Sequence, residues 1–509
     1  MVDRKLTSIA VILAAGLVAT AADAQQAPPN LIDFVTNEAN GATELQQSAG
    51  IAVQRTCAAL AAAGGFSLND PQQQDLFLRC NEFVQTSQEL QGFPDTDRSL
   101  GIESGELLAA IQQVSGEELH SQSTLATRVT NGQFSNIAGR LNSLRVGSAG
   151  VAGSRVAYAD PQSNEQLVSA SSNGFALSGG GRRGGGASAD VAGSRLGWFL
   201  DGSYNTGNRD HSANEDGFDF DATSVTIGLD WSHNSGVIGF SAGLDTYDAD
   251  FDTILDGGGE VVSGGNVEVE GTTGSIFAAW YLGNFYIDAI VSFGSLDSDI
   301  SRNLVYASNN PMCAPACPSQ ARALSGETDG DFTTGGFTSG YDAMWGNWDV
   351  STTLSLNYRD IDIDSYDETD SDPNGGLALR YAPQTIESFR SILGLAFSRN
   401  ISRGFGVLVP QFRVEWHHEF EDDPLTLAAK FVAEDGFPNG SAPDNFSTAA
   451  CISCFRFSTD EIDTDFALVG ASVSMVFARR LQIYGAYDAL LGLDNLTSNT
   501  LSLGIRGQF

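Results

Sequence analysis

The sequence predicts a mainly β fold: a 12-stranded antiparallel transmembrane β-barrel preceded by a small α-helical N-terminal region. Three observations carry this expectation. Residues 194–509 are patterned with a period of two, the alternating segments number twelve, and the connections between them are short and long in turn, except that the last outer one, near Asp494 to Leu496, is short. Barrels of bacterial outer membranes close with an even number of antiparallel strands, using short periplasmic turns and longer outer loops.

The alternation is plain in three segments. Val225, Ile227, Leu229 and Trp231 are interleaved with Thr226, Gly228 and Asp230. Phe285, Ile287, Ala289, Val291 and Phe293 are interleaved with Tyr286, Asp288 and Ser292. Trp348, Val350, Leu354, Leu356 and Tyr358 are interleaved with Asp349, Ser351, Ser355 and Asn357. Each segment presents one apolar and one polar face, as a strand between lipid and a wet lumen must. The expected strand cores are 195–205, 221–233, 236–248, 266–282, 284–297, 331–345, 347–362, 377–398, 404–420, 456–478, 481–492 and 497–509. Long connections are expected at 206–220, 249–265, 298–330, 363–376 and 421–455. The polar face offers Asp230, Asp288, Arg413, Glu415 and Arg506 as candidate lumen-facing residues.

Ahead of the barrel the composition changes twice. Arg4 and Lys5 precede an apolar run from Ile9 to Ala22, and Ala22-Asp23-Ala24 supplies small residues for a signal peptidase. Residues 1–24 are therefore expected to be a secretory signal, since the run is too short to span a bilayer. Residues 25–145 carry helical spacing, as in Leu107, Leu108, Ile111 and Val114, and again in Phe134, Ile137, Leu141 and Leu144. Residues 146–193 are rich in Gly and Ser, including Gly179–Gly186, and are expected to be a linker, because no P-loop context follows the glycines.

The chain has 26 Lys and Arg against 63 Asp and Glu, a net charge of −37, which excludes nucleic acid as an expected partner. An exported chain meets an oxidising space, and its six cysteines fall into local pairs: Cys57 with Cys80, Cys313 with Cys317, and Cys451 with Cys454. Disulfides are expected at all three.

No Gly-x-Ser-x-Gly or His-Glu-x-x-His motif and no self-evident triad occurs, and His120 is the only His before residue 211. No enzyme, cofactor or metal centre is expected. His417 and His418 are adjacent on a strand and should face opposite sides. Asp370-Ser-Asp372-Pro-Asn374-Gly375 opens like a calcium loop, but Tyr381 stands where the closing Glu is needed.

Two stretches resemble the C-terminal translocator barrel of type V autotransporters of Gram-negative bacteria. The first is the Pro-led strand Val409-Pro410 through Trp416-His417-His418-Glu419-Phe420. The second is the closing hairpin from Tyr484-Gly-Ala-Tyr487 to Gly504-Ile-Arg506-Gly-Gln-Phe509. The resemblance implies an outer-membrane location, with outer-membrane lipid, periplasmic chaperones and the barrel-assembly machinery as partners. It also implies that Leu501, Leu503, Ile505 and the terminal Phe509 form the assembly signal, and that residues 25–145 are a short passenger exported to, or displayed at, the cell surface. The pore would be filled either by a helix within 117–145 or by extended linker. An alternative reading is a channel-like or structural barrel with a periplasmic helical domain.

Overall fold

The structure is a computed structural model that describes residues 30–93, 97–116, 132–141, 144, 196–212, 215–233, 235–255, 261–311, 313, 317–437, 440–449, 451–477 and 481–508. The expected signal (1–24) and linker (146–193), His120 and Phe509 lie outside the described residues.

Twelve antiparallel strands close into a barrel. They are β1 (Leu196–Arg209), β2 (Phe218–His233), β3 (Gly236–Phe251), β4 (Gly265–Leu282), β5 (Phe285–Tyr306), β6 (Gln320–Trp345), β7 (Trp348–Ile363), β8 (Gln384–Ser398), β9 (Gly406–Glu419), β10 (Asp465–Phe477), β11 (Leu481–Leu491) and β12 (Leu496–Gln508). Sequential strands pair as neighbours, and β1 pairs with β12 from Gly197↔Gln508 to Arg209↔Leu496. That last ladder removes the free edges that an open sheet would leave in lipid, where each unpaired backbone group is costly.

The period-two pattern is obeyed strand by strand. Along β3 the outward residues Ile238, Phe240 and Leu244 are exposed, while the intervening Ser241 and Asp245 are buried. Equivalent outward rows run through Val225 to Trp231 on β2, Ile276 to Leu282 on β4 and Leu354 to Tyr358 on β7. Together they form an apolar girdle around the barrel, the surface that meets hydrocarbon. At the turn end of the girdle Trp280, Trp345 and Trp348 are exposed, as aromatic residues at a membrane interface are.

The strands do not all stop at the girdle. β5 has 22 residues and β6 has 26, whereas β10, β11 and β12 have 13, 11 and 13. Strands β2 to β7 rise beyond the girdle as a tall collar on one side of the barrel. Much of the expected connection 298–330 is therefore strand, leaving 307–319 as the loop. Two expected strands are each split. Residues 379–381 and 455–458 join a four-stranded sheet with 366–367 and 426–431, lying over the long-connection end, and only 384–398 and 465–477 belong to the barrel.

Among the described residues, four helices sit inside the collar: α1 (Leu31–Val35), α2 (Glu44–Ala63), α3 (Pro71–Leu90) and α4 (Ser104–Ser115). Their starts follow local chemistry. Thr43 and Gln46 form a capping box for α2, and Asp70 caps α3 with Pro71 in its first turn. Their apolar faces share one core with the inner face of the collar, where Leu76, Phe83 and Ile111 belong to the same buried cluster as Phe220, Leu296, Ile300 and Phe332.

Candidate functional site

A further helix, α5 (132–141), lies in the lumen, with Leu144 continuing its apolar face. Its residues divide by face. Ile137, Leu141 and Leu144 pack against Phe199, Val237, Phe277, Ala279 and Ile290 of β1, β3, β4 and β5. Gln133, Asn136 and Arg140 instead reach the polar wall of β2 and β3. The Gln133 amide donates to the Val225 carbonyl at 3.1 Å and to Asp245 Oδ1 at 3.1 Å, while the Thr226 hydroxyl donates to Gln133 Oε1 at 2.6 Å. Asn136 donates to Thr226 Oγ1 at 2.8 Å, and Arg140 Nε donates to Asp230 Oδ2 at 2.9 Å. Gly243 permits this close approach, since a Cβ there would occupy the space of the Gln133 carboxamide.

The contacts fix the direction of the helix. Gln133 meets the middle of β2 and β3, whereas Arg140 meets Asp230 near the short turn at 234–235. Helix α5 thus runs from the middle of the lumen toward the short-turn end, where β1 begins.

All five candidate lumen residues face inward. Asp230 holds Arg140. Arg506 pairs with Asp201 Oδ2 at 3.3 Å and lies 4.2 Å from the centre of the Tyr484 ring. Arg413 pairs with Asp488 at 2.9 Å and approaches Glu415, which accepts from His417 Nε2 at 3.3 Å. Asp288 is buried on β5. Because α5 hugs the β1–β5 wall, a cavity of about 830 Å³ remains along the opposite wall, lined by Phe134, Arg359, Arg390, Glu415, His417 and Asp488 among others. Charged pairs of this kind hydrate a lumen and anchor a plug.

His417 is buried against Phe466, while His418 points outward to Asp465 at 3.0 Å. Asp370 of the calcium-like segment accepts from Arg322 Nη1 at 3.0 Å, and Asp372 accepts from the backbone of Asn374. Those carboxylates are therefore satisfied within the protein. Leu501 and Leu503 are exposed on the lipid face of β12, and Ile505 follows on the same face. The cysteines meet as Cys57–Cys80, bridging α2 and α3, and as Cys313–Cys317 and Cys451–Cys454 in two long connections, with Cα separations of 5.4, 5.5 and 5.4 Å.

Sequence reasoning missed the residues that bind the helices to the barrel. The polar stripe of Gln133, Asn136 and Arg140 was available beside the apolar stripe of α5, and spacing of three and four residues put it on one helical face. Nothing local marked the collar pairs. Arg302 on β5 donates to Glu368 through Nε at 2.7 Å and Nη2 at 2.8 Å, and to the Gln113 carbonyl at the end of α4 at 2.6 Å. Arg322 on β6 joins Asp75 of α3 at 2.7 Å to Asp370. Burial alone would raise the Asp75 carboxyl, but hydrogen bonds from Arg322 and the Gly376 amide hold it below the usual aspartate value. Glu82, also on α3, lies against Arg79 and is pushed up to about 7 chiefly by burial.

A family profile described as the autotransporter beta-domain matches residues 198–488, more than half of the chain. Among solved structures, the translocator domain of autotransporter NalP from Neisseria meningitidis is similar at 13% identity and a TM-score of 0.44, covering 63% of this chain and 90% of that one. The beta domain of the Bordetella autotransporter BrkA is similar at 16% identity and a TM-score of 0.40, covering 62% and 100%. An uncharacterized Pseudomonas putida protein from the trpE-trpG intergenic region is 28% identical over 184 residues. The match takes in 33% of this chain and spans 28% of the length of that relative.

Proposed function

The chain belongs to the autotransporter beta-domain family, and from that premise we propose that its outer-membrane barrel exports and displays its own N-terminal helical region at the cell surface. One observation carries the reading: the helices α1–α4 lie at the end with the long connections, and α5 leads from them through the lumen to the turn end, where β1 starts. In a barrel whose short turns face the periplasm, the long-connection end faces outward. No nucleotide is needed, because folding of the exported segment on the far side favours its transfer.

The rest of the proposed route rests on the signal-like N-terminus and on the resemblance of the closing strands to the family. Residues 1–24 direct the chain across the inner membrane, periplasmic chaperones keep it unfolded, and the barrel-assembly machinery reads the terminal strand through Leu501, Leu503, Ile505 and Phe509. The exposed apolar row on β12 supports that assignment.

Glu38 is exposed on the helical region, so a Glu38→Cys variant provides an added thiol there. A membrane-impermeant maleimide is expected to label it in intact cells. Labelling only after the outer membrane is opened would overturn surface display and favour a barrel with a periplasmic helical domain.

A further inference from the structure

The helical region is joined to the barrel in two ways: covalently, through the chain between Gly116 and Gly132, and by contact, across the whole inner face of the collar. The contact surface has the character of a domain core. Leu76, Phe77, Phe83, Leu107 and Ile111 share one buried cluster with Phe218, Tyr247, Leu296, Ile300, Leu304 and Phe332 of the barrel strands. Without the helices, that aromatic and aliphatic inner face of the collar would stand open to water, a far larger apolar patch than soluble surfaces carry.

Polar contacts ring this core and set its register. The Arg302 guanidinium and the Val305 amide converge on Gln113, donating to its carbonyl at 2.6 Å and to its side chain at 2.7 Å. Arg322 and the Gly376 amide converge on Asp75. The Asn309 amide donates to the Leu100 carbonyl at 2.7 Å, and the Asn310 side chain donates to the Ser99 carbonyl at 2.8 Å. On the far side, the Arg456 amide donates to Ser48 Oγ at 3.1 Å. Four separate segments of the barrel chain grip three of the helices, and the ion pair that joins the two, Arg322 with Asp75, is largely shielded from water, so that removing Arg322 leaves the Asp75 carboxylate without its cation.

We propose that the collar is a docking site for the chain's own helical region, which remains seated as a non-covalent cap after the connection to α5 is cut. The helical region is in this respect a fixed cap and not a releasable passenger. The proposal deepens the surface-display reading and relies on it only for the side of the membrane on which the cap sits.

The test places a site for a specific protease between Gly116 and Gly132 of the full-length protein. Cutting is done in two settings: on purified protein in mild detergent, and on intact cells. The cut fragment containing α1–α4 is expected to co-elute with the barrel in detergent and to separate only in denaturant, with the heat-modifiable mobility of the barrel unchanged. Elution of the fragment away from a still-folded barrel would overturn the proposal. Cutting in intact cells reports on sidedness separately: protection there, with retention in detergent, refutes surface display and leaves the docking standing. An Arg322→Ala variant cut in the same way should lose fragment during the column run, while Asp494→Asn, on the low rim away from the helices, should retain it. Equal retention by Arg322→Ala and the parent would show that the polar ring contributes nothing, and would overturn its assigned role.

Discussion

Strands β2 to β7 are each built from two halves that follow opposite rules. In the girdle, β2 turns Val225, Ile227 and Leu229 outward and Ser224, Thr226 and Asp230 inward. A few residues higher on the same strand the outward row becomes Asp219 and Asp221, while the inward row becomes Phe218 and Phe220. The same exchange occurs on β5, from outward Val291 and Phe293 to Asp297 and Asp299, and from inward Asp288 and Ser292 to Leu296 and Ile300. The backbone alternation never changes; the solvents do. Below, lipid lies outside and a wet lumen inside. Above, water lies outside and a helix bundle inside.

The largest effect expected from breaking this contrast lies in the upper half. Arg302 is buried and bound to Glu368, and Arg302→Ala leaves that buried carboxylate without its cation, with only the Leu379 amide and the Tyr381 hydroxyl still donating to it among the described contacts. Breaking such a pair costs about 3–5 kcal/mol. The cap should loosen, with faster hydrogen exchange in α4, while the girdle strands stay protected. Uniform loss of protection in both halves would show that they do not respond separately.

In the lower half, Phe240 is exposed on the lipid face. Phe240→Arg should cost about 2–4 kcal/mol near the membrane midplane. It is read as a fall in folded, heat-modifiable barrel at constant expression. The same charge placed at Asp250, on the outer face of the collar in the same strand, should be tolerated. Equal loss at both positions would sink the division of the strand into a lipid-facing and a water-facing half.

The cap should also respond to pH in a way the girdle does not. Glu82 titrates near 7 in the fold, above the ordinary glutamate value, chiefly because it is buried. A carboxyl raised in this way favours the folded state most below its unfolded pKa, and that stability is lost as pH rises from about 4.5 through 7. The effect is on the order of 3 kcal/mol, given a rise from 4.5 to about 7 and about 1.4 kcal/mol per pKa unit. Asp75 acts in the other direction, since its contribution is present at neutral pH and is lost only as pH falls through the acid range. Cap stability, followed by hydrogen exchange of α3, should decline between pH 5 and 8 in the parent and stay flat in Glu82→Gln. A flat profile in both would remove Glu82 as the cause.

The contrast also explains what the sequence made legible. Girdle alternation was read directly, because lipid demands large apolar residues on one face and a lumen demands polar ones on the other. The collar portions of β5 and β6 were expected to be a loop at 298–330, because their outward residues are Asp, Glu and Ser, the vocabulary of loops. The period survives there with its polarity reversed, as Leu296, Ile300 and Leu304 against Asp297 and Asp299. Reading period without assuming which face is apolar would have found it. The pairing of Arg302 with Glu368 and of Arg322 with Asp75 joins residues far apart in sequence, and only the fold brings them together.

The smallest effect expected is on the outer face of the collar. Asp299 stands directly opposite Glu268 on β4 and Glu327 on β6, so three carboxylates lie side by side across the sheet. Like charges placed opposite one another weaken a strand pair. Removing the central one with Asp299→Asn should raise Tm slightly at low ionic strength. The gain should shrink as salt is added, because salt already screens exposed charges. The inner residue at the neighbouring position, Ile300, belongs to the buried core, so Ile300→Asn should lower Tm at every salt concentration. Two adjacent positions on one strand, given the same polar residue, should therefore move stability in opposite directions. If Asp299→Asn instead lowered Tm, the carboxylate row would be held together by something other than tolerated repulsion, and the outer face could no longer be treated as a simple water-facing surface.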